Sequence, residues 1–224
     1  MHGNSADLDV IIPAGPGEQS WRSLVDLLPS RWPVLITAVD DAPLHLPPNV
    51  DWLQGPAGRG RQLNLAAASA SGRWMWFLHA DSQPSSGAIE AVEELARSNQ
   101  EVLAYFDLGF LSDGPRATSL NALGANLRSR WLKMPYGDQG LCLAKHWFDK
   151  LEGFRTDLRR GEDLDLVIRA QAAGLRLQRL DGRIWTSARR YREHGWLATT
   201  WQHQVNAWRL TRAAKASIRA SKQA

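Results

Sequence analysis

The residues best suited to chemistry sit at the end of an aromatic run. Trp74, Met75, Trp76, Phe77 and Leu78 lead directly into His79-Ala80-Asp81. An apolar run this short, bounded by turn formers, predicts a buried central strand rather than a helix. In open α/β sheets, ligands gather just beyond the carboxyl ends of the strands. On an extended backbone His79 and Asp81, two apart, point the same way. An imidazole and a carboxylate so placed can hold a divalent cation, and a hard cation keeps positions open for phosphate oxygens. A plain polar loop would account for the same three residues, so the pattern alone is weak.

Other chemistry-bearing groups are scattered along the chain. A glycine-rich loop at 55–60 precedes a predicted helix at 61–71, with Gly72 placed to end it. Arg59, Arg61 and the free amides of that helix would form an anion cradle. Tyr136-Gly137-Asp138-Gln139-Gly140 is a compact polar turn. Glu162, Asp163 and Asp165 open a helix reaching about residue 173, where the macrodipole favours negative charge without any further role. The one cysteine, Cys142, lies in an apolar run and reads as a small core residue, not a nucleophile.

Positioning these groups requires alternating strands and helices. A strand at 8–13 breaks at a Pro/Gly turn spanning 13–17, and Ser20 is placed to cap a helix carrying Trp21, Leu24, Val25 and Leu28 inward. Strands follow at 34–39, ending in Asp40-Asp41-Ala42-Pro43, and at 50–53, then the Trp74 strand and a helix at 86–98. This alternation predicts an α/β fold with a largely parallel sheet. The second half differs. A longer strand spans 102–110, and from Pro115 the spacing of Leu120, Leu123, Leu127 and Trp131 predicts a helix burying that face, with Arg116, Arg128 and Arg130 outside. Gly153-Phe154 closes a short helix, two strands are expected at 175–180 and 183–187, and a last amphipathic helix runs from about Gly195 with Trp201, Val205 and Trp208 on one face.

At 224 residues and 44% hydrophobic content the chain suits a single α/β domain with a full core and is not a disordered protein. The first twenty residues lack a secretory signal pattern and no apolar span reaches membrane-crossing length, so the expectation is a cytoplasmic protein. The net charge of +4 hides an asymmetry: residues 183–224 carry nine Lys or Arg against Glu193 alone. With Trp185, Trp196, Trp201 and Trp208 interleaved, that segment suits anionic lipid head groups or nucleic-acid phosphates, or is simply a solvated final helix.

Taken together, GRGRQLNLAAASASGRWMWFLHADSQ at 58–83, PYGDQGL at 135–141, Gly153-Phe154, Gly161-Glu162-Asp163 and TSARRY at 186–191 resemble, in order and spacing, a family 2 glycosyltransferase of the GT-A fold. The closest likeness is to a small bacterial subgroup described as associated with radical-SAM and selenium-domain proteins. The resemblance implies a Rossmann-like mixed sheet flanked by helices, with residues 1–83 as nucleotide-binding half, 84–194 as acceptor and catalytic half, and 195–224 as a basic C-terminal amphipathic helix. It implies Mg²⁺ or Mn²⁺ held at the diphosphate of a UDP- or GDP-type sugar by Asp81, with His79 a second ligand or a nucleotide contact. It implies Pro13, Ala14, Asp40, Arg59, Arg61 and Asn64 along the donor nucleotide, and Asp138, Gln139 and Glu162 toward the sugar or acceptor. Asp163 would be the general base that takes the acceptor hydroxyl's proton during inverting attack. The acceptor is unspecified and could be lipid-linked, which would suit membrane contact by the C-terminal segment.

The chain departs from the family pattern at Asp40-Asp41-Ala42-Pro43 and at 14–17, where the usual acids and hydroxyls are replaced. Two other readings compete. A sugar-phosphate nucleotidyltransferase would need a long, basic, glycine-rich segment after the first strand, and residues 13–17 contain no arginine. A non-catalytic adaptor binding membrane or nucleic acid explains the basic tail but not the strand ending in His79 and Asp81.

Overall fold

The computed structural model describes residues 7–115, 117–158 and 160–189. Its strands are β1 (Leu8–Pro13), β2 (Val34–Ala38), β3 (Val50–Gln54), β4 (Trp74–Phe77), β5 (Gln83–Pro84), β6 (Val102–Phe110), β7 (Cys142–Ala144) and β8 (Arg176–Thr186). The helices are α1 (Trp21–Leu27), α2 (Arg59–Ser69), α3 (Ser86–Arg97), α4 (Thr118–Trp131), α5 (Lys145–Lys150) and α6 (Glu162–Ala172). All eight strands form one mixed sheet ordered β3-β2-β1-β4-β7-β6-β8-β5. The first four neighbours are parallel, β7 runs against both β4 and β6, β8 runs with β6, and β5 runs against β8. Because β1 passes to β2 on one side and pairs β4 on the other, a switch point opens at the carboxyl ends of β1 and β4.

β4 is buried on both faces. Trp74 and Trp76 join Trp21, Leu24 and Val92 in one core beneath α1 and α3. Met75 and Phe77 face the opposite core with Leu63, Phe148, Leu166 and Val167 from α2, α5 and α6. Such two-sided burial explains the unbroken apolar run, since each large side chain removed from water contributes roughly 1.5–3 kcal/mol. Cys142 is a fully buried member of the same sheet.

The structure corrects several local expectations. Ser20 takes a helical backbone conformation and makes no side-chain cap; its N–H donates instead to Glu18 Oε1 at 2.8 Å. α2 starts two residues early and ends at Ser69 in an extended Ala70, so Gly72 is not its stop. Gly72 is required because a β-carbon there would stand 3.1 Å from the backbone entering β1. Its N–H and that of Ser71 donate to Asp9 Oδ2 at 2.6 and 2.7 Å. The two strands expected after residue 174 are one, β8, whose pairing with β6 shifts between Tyr105 and Asp107.

α4 is turned over. Its buried residues are Thr118, Ala122, Ala125 and Ser129, while Leu120, Leu123, Leu127 and Trp131 lie exposed. Small side chains let the helix approach β6 closely, and polar links fasten it: Asn126 exchanges hydrogen bonds with the Leu108 backbone at 2.8 and 3.1 Å, and Tyr105 Oη donates to Ser129 O at 3.2 Å. Arg130 is outside as expected, paired with Asp107, whereas Arg128 folds over the Tyr136 ring. Trp185 belongs to β8 rather than to a tail. The helix expected over 195–224, Arg116, and Arg190 and Tyr191 of the TSARRY motif lie outside the described residues.

Asp9 is the buried pin between α2 and the sheet, being 1% exposed. Asp9→Ala strands the buried Gly72 amide and the part-buried Ser71 amide and is expected to cost roughly 1–3 kcal/mol in urea unfolding; a loss well below roughly 1 kcal/mol would show that the amides find other partners.

Candidate active site

Beyond Leu78 the chain does not stay extended. Ser82 N–H donates to His79 O at 3.0 Å and His79 N–H donates to Ser82 Oγ at 3.1 Å, closing a tight turn. The expected common direction of His79 and Asp81 along a strand is therefore lost. Both nevertheless line one cavity of about 460 Å³ at the switch point, together with Pro13, Arg59, Asp138 and Asp163.

Among the described residues Arg59 and Arg189 are the cations lining this cavity, and Arg59 opens α2. Its Nε lies 3.2 Å from Glu162 Oε1, and Glu162 is buried at the start of α6. Burial raises the Glu162 carboxyl above its ordinary value, neighbouring Asp163 adds to this, and Arg59 opposes it. Glu162 thus anchors Arg59 and is absent from the cavity wall. The other Arg59 arm donates to His79 Nε2. In this arrangement the Nε2 lone pair faces the guanidinium.

Asp163 is fixed by two amides. Its Oδ2 accepts from Gly137 N–H at 2.5 Å and its Oδ1 from Leu164 N–H at 2.8 Å. Gly137 is the point where the groups converge: a β-carbon there would lie 2.9 Å from Arg59 Nη2, 3.0 Å from Asp163 Oδ2 and 3.2 Å from His79 Nε2. Any larger residue would push the charged groups apart. The turn carrying Gly137 is braced from below by Gln139, which is fully buried. Its Oε1 accepts from Ser129 Oγ at 2.6 Å and Tyr136 N–H at 3.2 Å, and its Nε2 donates to Phe106 O at 2.9 Å. Gln139 is therefore a pillar of the turn and is absent from the cavity wall.

Asp138 has its Oδ1 buried without a hydrogen-bond partner, as has the Tyr136 hydroxyl. Burial pushes the Asp138 carboxyl up to about 6; Arg128 and Arg59 pull against this, while Asp163 and Asp81 reinforce it. The Arg128 guanidinium lies 3.6 Å from the Tyr136 ring centroid, closing this end of the cavity.

The remaining sequence candidates lie outside the cavity wall. Asn64 exchanges hydrogen bonds with the Phe154 backbone at 2.8 and 2.9 Å, tying α2 to the loop after α5. Ala14 is buried and receives a Gln62 hydrogen bond on its carbonyl. Arg61 is exposed. Asp40, at the end of β2, accepts from Gly17 N–H at 2.7 Å. Gln62, Tyr136, Phe110 and Arg189, to which the sequence assigned no role, also line the cavity. Gln62, Tyr136 and Arg189 lie within the motifs quoted above, and Phe110 lies in none.

Among the described residues no group of three His, Cys, Asp or Glu is arranged to hold a metal ion. Mg²⁺ bound through one or two carboxylates and substrate phosphates needs no such cage. Asp81, a hard oxygen donor on the wall it shares with Arg59, fits that mode of binding.

The raised Asp138 has a consequence for stability. Between its unfolded value near 4 and about 6, the folded chain holds a proton that the unfolded chain releases, so stability falls as pH rises. With neither metal nor nucleotide present, Asp138→Asn is expected to melt roughly 2–6 °C above wild type at pH 7.5, the gain shrinking toward pH 4 in a thermal-shift series. A difference independent of pH would place that carboxyl in water.

No family model and no curated protein matches the sequence. Solved structures do match in shape. Staphylococcus aureus TarS 1–349 aligns with TM-score 0.63 and 14% identity over 80% of this chain and 60% of that one. The mannosyltransferase PcManGT of Pyrobaculum calidifontis, in complex with GDP-Man and Mn²⁺, aligns with TM-score 0.58 and 14% identity over 81% and 57%. GalNAc-T7 with UDP, GalNAc and Mn²⁺ aligns with TM-score 0.58 and 12% identity over 82% and 44%. The chain thus spans about three fifths of TarS 1–349 or less of the others. Its eight-stranded mixed sheet, switch point and flanking helices are those of the GT-A glycosyltransferase fold.

Proposed function

We propose that the chain is a metal-dependent inverting glycosyltransferase. It moves a sugar from a UDP- or GDP-type nucleotide sugar to an acceptor hydroxyl, and it belongs with the family 2 subgroup its motifs resemble. The observation that carries this reading is the meeting of Asp81, Arg59 and Asp163 on one cavity at the carboxyl ends of β1 and β4. TarS 1–349 has been solved with UDP-GlcNAc and PcManGT with GDP-Man and Mn²⁺, which supports a nucleotide-sugar donor for a chain of the same fold.

In this mechanism Arg59, aimed by Glu162, faces the diphosphate, with the α2 amides behind it. Asp81 would hold Mg²⁺ or Mn²⁺, which when bound neutralises charge on the departing diphosphate. Asp163 accepts the acceptor hydroxyl's proton as the oxygen attacks the anomeric carbon from the face opposite the nucleotide. Its two amide bonds fix the carboxylate plane, so the proton is received in one orientation. Asp138 orients the transferred sugar. Pro13 and Asp40, at the ends of β1 and β2, flank the nucleotide, and the acceptor is lipid-linked at the cytoplasmic face of a membrane.

UDP or GDP with Mn²⁺ is expected to raise the melting temperature, and Asp81→Ala to abolish the rise. A full rise in that variant removes Asp81 from the donor site. Asp163→Asn should keep the rise while turnover drops roughly 10²–10⁴-fold. Release of pyrophosphate instead of nucleoside diphosphate would make the chain a nucleotidyltransferase.

A further inference from the structure

The outward face of α4 is the most apolar exposed surface among the described residues. Leu120, Leu123, Leu127 and Trp131 recur along one side of the helix, Leu132 extends the row, and exposure reaches 62% at Leu120 and 79% at Trp131. From Leu120 to Trp131 the row is about 17 Å long. Single exposed leucines are ordinary, but a continuous helical row marks an interaction surface.

Charge decides what the row meets. Residues 115–134 carry four cations, Arg116, Arg128, Arg130 and Lys133, and no carboxylate. A second copy would bring the same cations face to face. Residues 190–224 carry seven cations against Glu193 and are equally mismatched. An anionic surface complements this basic segment, and an apolar helix face ending in the exposed Trp131 and Lys133 matches a helix lying in a membrane interface.

The position of the row relative to the site points the same way. A cavity of about 820 Å³ lies between α4 and the ends of β6 and β8, lined among others by Leu108, Phe110, Leu111, Leu123 and Trp185, with Arg183 also on its wall. Leu123 belongs to the exposed row as well, and Phe110 also lines the cavity containing Asp163. Phe110 thus borders both cavities, the one walled by α4 and the one walled by the carboxylates.

We propose that the outward face of α4 docks on an anionic lipid bilayer. If the transferase function proposed above holds, docking sets the larger cavity against the head-group layer, where a lipid-linked acceptor hydroxyl can reach Asp163.

The full chain is sedimented with vesicles of phosphatidylcholine and phosphatidylglycerol in a roughly 7:3 ratio, and with pure phosphatidylcholine. Wild type is expected to pellet with the anionic vesicles and weakly with the neutral ones. Leu120→Asp combined with Leu127→Asp should weaken anionic binding at least roughly tenfold. A milder variant combining Leu120→Ser, Leu127→Ser and Trp131→Ser, checked by circular dichroism, decides the matter if the Leu→Asp changes disturb folding. Equal pelleting of variant and wild type, absence of wild-type binding, or a wild-type dimer in analytical ultracentrifugation that the variant abolishes would each overturn the proposal. The melting rise with nucleotide and Mn²⁺ is measured on the same variants. It reads the donor site, which these residues do not touch, so failure of docking and failure of the transferase reading are told apart.

Discussion

The hydrogen bond from Gly137 N–H to Asp163 Oδ2 joins two loops 26 residues apart in the chain and sets the spacing of every charged group around it. On one side it holds the carboxylate that opens α6. On the other it holds a tight turn pinned from beneath by Gln139 and Ser129. A side chain at 137 would collide with Arg59, Asp163 and His79 together, so the bare backbone is what lets these three come within reach of one another. Removing water from such a cluster strengthens each electrostatic contact and penalises every unpaired charge.

The electrostatic design follows from that crowding. Asp81, Asp138 and Asp163 share a cavity wall with Arg59. The buried Glu162 claims part of the guanidinium and His79 the rest, so Arg59 is held by groups on both sides. Arg189 lines the same wall and Arg128 opposes the rise in the Asp138 carboxyl, whose Oδ1 is nonetheless buried without a hydrogen-bond partner.

The two halves of the sheet serve different ends. Strands β1 to β4 are short and parallel, and the loops after β1 and β4 line the cavity. β6 and β8 are long and shift register next to Asp107, and the left-handed Gly182 lets the α3 backbone at Gly87 and Ala88 pack closely. α4 closes over β6 through small and polar residues, which leaves its leucines to solvent and frames the larger cavity.

Local pattern determined a good deal of this protein. Aromatic continuity identified β4 as a strand buried on both faces and turn residues marked the ends of β1 and β2; Asp81 and Arg59 stood out as charged groups beside elements whose type the sequence settles, whereas Asp163 was singled out only through the family resemblance. Other features needed the folded chain. Whether the His79 nitrogen is open depends on Arg59, and whether Gln139 faces a ligand depends on Phe106 and Ser129, partners far away in sequence. Helical periodicity showed that α4 has an apolar side but not which side the sheet would take. The winning side was the one whose alanines and hydrogen-bonding groups fit closest to β6, because packing distance and satisfied polar atoms outweigh side-chain hydrophobicity when the two conflict.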